Sequence, residues 1–167
     1  MTRNAPAYLL ALVTLIADQL TKWIITGPLD LQRVQQIVIA PIFNLTWVQN
    51  FGISLGIAQA QNDTQRWLLV AMTAAIAAAV GWWIRREDKA ADRLALGLVL
   101  GGALGNIVDR IRFGYVVDFL DLHFGEARPF YVFNVADAAI SIGVVILLRR
   151  AFLVRDEKAP EGTNEHA

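Results

Sequence analysis

The sequence predicts an all-α membrane protein with four transmembrane helices, both termini cytoplasmic, and a small extracytoplasmic β-sheet in the first outer loop. Three observations carry this. Hydrophobic residues make up 56% of the 167, and the mean hydropathy of +0.44 exceeds that of soluble domains. Four segments are apolar over lengths near the ~20 residues that cross a ~30 Å hydrocarbon core. Lysine and arginine gather in alternate loops, as the positive-inside rule requires.

The first helix is expected over about 5–25, apolar except for Asp18, Gln19 and Lys22 near its end. A lone Arg3 ahead of an apolar core also fits a secretory signal, but no small-x-small cleavage site follows, so a retained helix is preferred. The second, about 67–84, is uninterrupted and alanine-rich; the third, about 94–111, is full of glycine; the fourth, about 133–150, stops at Arg149 and Arg150. Arg85, Arg86, Lys89 and Arg93 fill the link between the second and third, while the outer loops, 27–66 and 111–133, hold few basic residues. In the first outer loop, Gln36–Ala40 and Phe43–Asn50 are rich in β-branched and aromatic residues and flank Pro41. They predict an antiparallel pair of short strands on the membrane surface. Residues 1–155 form one integral membrane domain in this reading, and 156–167 a disordered cytoplasmic tail.

Composition narrows the chemistry. A net charge of zero argues against nucleic-acid partners. The absence of cysteine removes thiol nucleophiles, thiolate metal sites and disulfides together. His123 and His166 are too few and too far apart for a zinc site. No H-E-x-x-H motif is present. No metal or cofactor is expected.

The residues that stand out are Asp118 and Asp137, each beside a membrane-length apolar run on the predicted outer side. Placing an aspartate at mid-helix costs ~2.5–3.5 kcal/mol on insertion scales, less near an interface, so such a residue is a functional candidate by default. An interfacial cap, or an ion pair with Arg110 or Arg112, explains one of them but not both. If the two meet, like charges about 3 Å apart cannot both ionise and the pair shares a proton. One carboxylate then takes a proton from water while its protonated partner polarises a carbonyl, which is peptide hydrolysis without a metal.

Around them stand further polar residues. Asn106 and Arg110 share a helix face at i, i+4, either anchoring the helix at the interface or holding a substrate carbonyl. Asp18 and Lys22 form an i, i+4 pair for which a supporting role is expected. Gly97, Gly101 and Gly105 make a smooth stripe suited to close helix packing, within the molecule or between copies. Two other functional classes stay open. Asp118 and Asp121, with Asp109 or Asp137, could hold magnesium for phosphoryl transfer, which chelator would stop. A small transporter or channel subunit would use the aspartates as ion ligands and show flux in vesicles.

Asp18-Gln-x-x-Lys22, Asn50-x-Gly52, the run Gly101 to Arg110, Val116-Val-Asp118-Phe and Phe133-Asn-Val-Ala-Asp137-Ala resemble, in order, the motifs of the lipoprotein signal peptidases, the type II family of bacteria. The resemblance extends from Asp18 to about Gly143. It implies an aspartyl endopeptidase of the bacterial inner membrane that removes signal peptides from prolipoproteins, cutting before a diacylglyceryl-modified cysteine at the periplasmic side. By resemblance Asp118 and Asp137 are the catalytic dyad, and Asn50, Gly52, Gly102, Asn106, Arg110, Asn134 and Ala136 line the substrate site. Asp18, Lys22 and Asp109 support it. The implied partners are lipid-modified precursors, membrane lipids and cyclic peptide inhibitors such as globomycin. One departure is the run Asn50 to Gly56, where the family often has small residues followed by an aromatic or serine.

Overall fold

A computed structural model describes residues 3–52, 63–125 and 127–156. The order is α1 (Ala5–Thr26), α2 (Leu31–Val34), β1 (Gln36–Ala40), β2 (Phe43–Asn50), α3 (Asp63–Arg86), α4 (Ala90–Phe113), β3 (Val116–Leu122) and α5 (Val135–Asp156). α1, α3 and α4 are long and apolar enough to cross a membrane. α5 has 22 residues. The tail expected at 156–167 falls, beyond Asp156, outside the described residues, as do positions 53–56 of the departing run.

α4 is the hub, with α1, α3 and α5 packed around it. Its glycines explain why. A Cβ on Gly97 would stand 2.5 Å from the Ala7 carbonyl oxygen, and one on Gly101 2.5 Å from that of Ala11, so this stripe lies against α1. A Cβ on Gly102 would strike the Ala136 carbonyl, and one on Gly143 would come 2.6 Å from that of Ala95, which brings α5 equally close. The stripe is therefore filled within the molecule. Ala7, Ala11, Val70, Ala77, Ile84, Leu96, Leu100 and Ile107 form the buried cluster between these helices. Large apolar residues such as Leu12, Ile16, Met72, Ile76, Val145 and Leu148 face outward. Small residues inside and large ones outside is the arrangement of helices solvated by lipid.

Alanine at Gly101 and alanine at Gly81 have opposite expected effects. Gly101→Ala drives a methyl into the Ala11 backbone and the Thr14 side chain, and overpacking of this kind costs ~1–3 kcal/mol. Gly81→Ala on α3 meets nothing within 4 Å, and should gain ~0.5–1 kcal/mol from helix propensity. Thermal melts in detergent check both signs.

β1 and β2 occupy the residues expected from the sequence, but the sheet does not belong to the first outer loop alone. Its order is β1-β2-β3, antiparallel throughout, with β3 drawn from the second outer loop. Asp118 thus sits on a strand, not at the end of a span. The sequence around it explains the difference: Val116-Val-Asp-Phe-Leu-Asp-Leu122 is rich in β-formers, but its two aspartates, a residue type depleted in strands, hide the pattern. α4 also begins at Ala90, ahead of the expected 94, and closes at Gly114, whose φ of +84° suits glycine and whose N–H donates to the Arg110 carbonyl at 3.2 Å. A second cluster, Ile25, Leu31, Val117 and Phe119, seats the sheet on the ends of the helices.

Candidate active site

One face of β3 and the start of α5 meet because the chain is stitched between them. Phe133 pairs with Leu120: its carbonyl accepts the N–H groups of Phe119 and Leu120 at 3.0 and 2.8 Å, and its own N–H donates to Leu120 at 3.1 Å. That bridge sets Asn134 beside Asp118. Asn134 immediately precedes α5 and forms a reciprocal cap with Asp137: its Oδ1 accepts the Asp137 N–H at 2.9 Å, and Asp137 Oδ2 accepts its N–H at 3.3 Å. The capping expected as a bland role for Asp137 is therefore present, and it also fixes where that carboxylate points.

The carboxylates are joined by amides. Asn134 Nδ2 donates to Asp118 Oδ1 at 2.7 Å and to Asn106 Oδ1 at 3.2 Å, and Asn106 Nδ2 donates to Asp137 Oδ1 at 2.8 Å. Asn50, two residues along β2 from Val48, which pairs with Asp118, donates to Asp118 Oδ2 at 3.0 Å. Asn50 Oδ1 in turn accepts the Gly52 N–H at 2.8 Å. Gly52 has φ +91°, and a Cβ there would crowd Leu69 and Arg110. Burial pushes the Asp118 carboxyl up to about 7; the neighbouring Asp137 charge adds to the rise, and the Asn50 and Asn134 donors oppose it. Arg110 lies within electrostatic reach of Asp137, Asp118 and Asp109. Its buried Nε has no partner among the described residues.

Beneath this layer is a buried ionic framework. Lys22 Nζ bridges Asp18 Oδ2 at 2.9 Å and Asp109 Oδ2 at 2.8 Å, and the three side chains are at most 3% exposed. Asp18 Oδ1 accepts the N–H of Ala136, and Asp109 Oδ2 that of Val117, both at 3.0 Å. Each buried aspartate thus grips the backbone amide just before one of the two candidate carboxylates. Buried charges are tolerated when paired and fully hydrogen-bonded, as here. Gln19 completes the set by donating to Asp109 Oδ1 at 2.9 Å. It stands inside the Asp18-Gln-x-x-Lys22 motif, yet the sequence offered no reason to assign it a role.

The expected lining residues divide. Asp137, Asn50, Gly52, Asn106 and Arg110 keep part of their surface open. Gly102 and Ala136 are buried against each other where α4 crosses the start of α5, and the close approach of the two backbones leaves no room for a Cβ on Gly102. Asn134 is fully buried, and it caps α5 and bridges Asp118 to Asn106. The i, i+4 pairing of Asp18 with Lys22 is present, and it is more deeply buried than a helix-end pair. Asp121, also fully buried, accepts from Thr46 at 2.9 Å and pairs with Arg128 at 3.4 Å, away from Asp118.

Comparison with known proteins agrees with this architecture. Residues 10–153 match the family model described as signal peptidase (SPase) II. The lipoprotein signal peptidase of Sphingopyxis alaskensis is 56% identical over 147 residues, covering 88% of this chain and 85% of that protein. The one from Rhizorhabdus wittichii is 57% identical over 150 residues, covering 90% and 87%. A solved structure described as a bacterial membrane enzyme, obtained by the in meso method at 2.3 Å resolution, superposes with a TM-score of 0.77 at 28% identity, covering 95% of this chain and 94% of that one. With helices able to cross a membrane and a family match along most of its length, the chain belongs to the signal peptidase II family of bacterial membrane proteases.

Proposed function

We propose that this protein removes signal peptides from diacylglyceryl-modified prolipoproteins as an aspartyl endopeptidase, with Asp118 and Asp137 as its dyad. The observation that carries the reading is the amide bridge Asp118–Asn134–Asn106–Asp137, which ties the two carboxyl groups into one hydrogen-bonded network. In this reading α5 is a fourth span and 1–155 is a single domain in the inner membrane. The end carrying Arg3, Arg93 and Arg150 faces the cytoplasm, and the sheet end the periplasm. Arg3–Asp88 and Arg150–Asp92 pairs gather those basic residues at one end, away from the dyad.

The chemistry follows from the different settings of the two acids. Asp118, buried, is the acid of the pair, and Asp137, partly open, is its base. Asp137 removes a proton from a water whose oxygen bonds to the scissile carbonyl carbon, while Asp118 donates its hydrogen to the carbonyl oxygen. The tetrahedral diol then collapses. The C–N bond breaks as Asp137 passes its proton to the leaving amine nitrogen and the ionised Asp118 takes one hydroxyl proton back from the diol, which leaves a carboxylic acid and restores the starting protonation of the pair. Arg110, through its unpartnered Nε, and the amides of Asn50 and Asn106 hold the substrate backbone in register. The lipidated cysteine lies on the leaving side, anchored at the interface, and β1 and β2 cover it from above. Cyclic peptides such as globomycin occupy the same cleft.

Purified protein in lipid should cleave a synthetic prolipoprotein peptide carrying diacylglyceryl cysteine, and leave the unlipidated peptide intact. Flux of ions in place of cleavage would favour a transporter. Excess EDTA should not alter the rate; chelator-sensitive turnover would point to magnesium and phosphoryl transfer. The pH profile tests the proton assignment. Asp118 must be protonated to act and its carboxyl titrates at about 7, so kcat/KM should fall as pH rises through neutrality. A rate flat well into the alkaline range would assign the proton elsewhere.

A further inference from the structure

The end of the bundle away from the dyad carries a second cleft, of about 370 Å³, between α3 and α5. Trp83 of α3 and Leu147 and Leu148 of α5 form its apolar walls, and Glu87, Lys89, Asp92 and Arg150 its polar rim. Both helices pack on α4, which contributes Asp92 from its first turn. Asp92 and Asn106 lie about four turns apart on α4, so the cleft is roughly 20 Å from the candidate site.

The rim is held in place. Buried Arg93 donates through Nη1 to the carbonyls of Glu87 and Asp88 at 3.2 and 2.6 Å, and Glu87 Oε1 accepts the Lys89 N–H at 3.0 Å. Its charges are not all spent. Asp92 pairs with Arg150 Nε at 2.6 Å, and Asp88 with Arg3 at 2.8 Å. Among the described residues the Glu87 and Lys89 side chains form no ion pair, either with each other or with a third group.

We propose that this cleft binds one phospholipid whose headgroup carries a primary ammonium, phosphatidylethanolamine. The inference depends on the helices spanning a membrane and not on the chemistry at the dyad. Charge selects the headgroup. One free anion and one free cation on a fixed rim match a zwitterion: the phosphate meets Lys89 and the remaining Arg150 nitrogens, and the ammonium meets Glu87. A carboxylate accepts the N–H groups of a primary ammonium, whereas a choline headgroup has none to donate and is held by cages of several aromatic rings. Here Trp83 is the one aromatic in the wall. The apolar part fits the chains. Trp83 is 48% exposed and Leu148 52%, each beside the arginines that end its helix, at the depth where tails give way to headgroups. Clefts between spans with basic residues at that depth are a recurrent place for lipid headgroups.

The test offers the unaltered protein in micelles equal amounts of phosphatidylethanolamine, phosphatidylcholine and phosphatidylglycerol with the same acyl chains, and counts bound lipid by native mass spectrometry. The ethanolamine lipid should exceed the choline lipid by about three- to fivefold, the worth of one interfacial charge pair. Glu87→Gln keeps the oxygen that accepts the Lys89 N–H and removes only the charge, so it should bring that ratio to about one. Lys89→Met should weaken both lipids alike, since they present the same phosphate. Equal binding of the two by the unaltered protein overturns the proposal, and so does a ratio unmoved by Glu87→Gln. The glycerol lipid bound in preference to both would give the cleft to an anionic headgroup, and overturns it as well.

A second measurement needs no variant. Phosphatidylethanolamine with a diazirine high in one chain, irradiated in the complex, should label fragments containing Trp83 or 144–148. Label confined to α1 overturns the assignment.

Discussion

Asp118→Asn and Asp137→Asn are each expected to lower the cleavage rate by at least ~10³-fold while the protein still folds and inserts. The size of the effect follows from how the pair divides the work. Asparagine at 137 cannot take the proton from water, and asparagine at 118 cannot follow the carbonyl oxygen as it becomes a hydroxyl. The fold should survive because the amide keeps an oxygen for existing donors. Asn134 can still donate to residue 118, and the cap of α5 keeps its Asn134 half. Loss should not be additive in the double variant, since the residues act as one unit. Cleavage of a diacylglyceryl peptide, followed beside circular dichroism and a melting curve, checks both halves. Turnover retained in either single variant removes that residue from the mechanism.

Lys22→Met has the next largest expected effect, and it acts on the fold. The ammonium is the shared counter-charge of Asp18 and Asp109, both fully buried. Removing one partner of a buried pair costs ~3–5 kcal/mol because a charge is left uncompensated. Here two are left. The strain reaches the site directly: Asp18 holds the Ala136 N–H and Asp109 the Val117 N–H, so the residues preceding both dyad carboxylates lose their anchors together. The melting temperature should drop sharply, and activity should be lost even well below it. The combined change Lys22→Met, Asp18→Asn, Asp109→Asn removes the stranded charges and should recover part of the stability but little of the activity. An unchanged melting temperature in Lys22→Met would show that the framework is not under electrostatic load.

Much of the architecture was legible before the structure. Apolar runs with basic loops locate the helices because the bilayer forces backbone polar groups into helical pairing. β1 and β2 were readable from their β-branched and aromatic content. The Gly97–Gly101–Gly105 stripe announced a tight contact but not its partner; only the placement of Ala7 and Ala11 shows that α1 takes it. β3 was hidden for a different reason. A strand that completes a sheet begun some 80 residues earlier is stabilised by pairing, and single-sequence propensity has little purchase on pairing.

The candidate site shows the same division. Paired carboxylates at an apolar surface, a lysine one turn from an aspartate, and asparagines flanking both were all visible as costly residues that demand a reason. Their roles were not. That Asn134 caps α5 and bridges to Asp118, and that the Ala136 N–H is held by Asp18, only the structure shows. Gln19 gives no signal, and Asp121 signals only a possible magnesium ligand, because a single amide or acid acquires meaning only from its partners.

From residue chemistry alone, then, came the class of molecule and the identity of its few expensive polar groups, since burying charge beside lipid is penalised wherever it occurs. What remained for the folded chain to decide was which of those groups meet. That depends on the Leu120–Phe133 bridge and the Lys22 framework, contacts between segments far apart in sequence whose geometry no local preference contains.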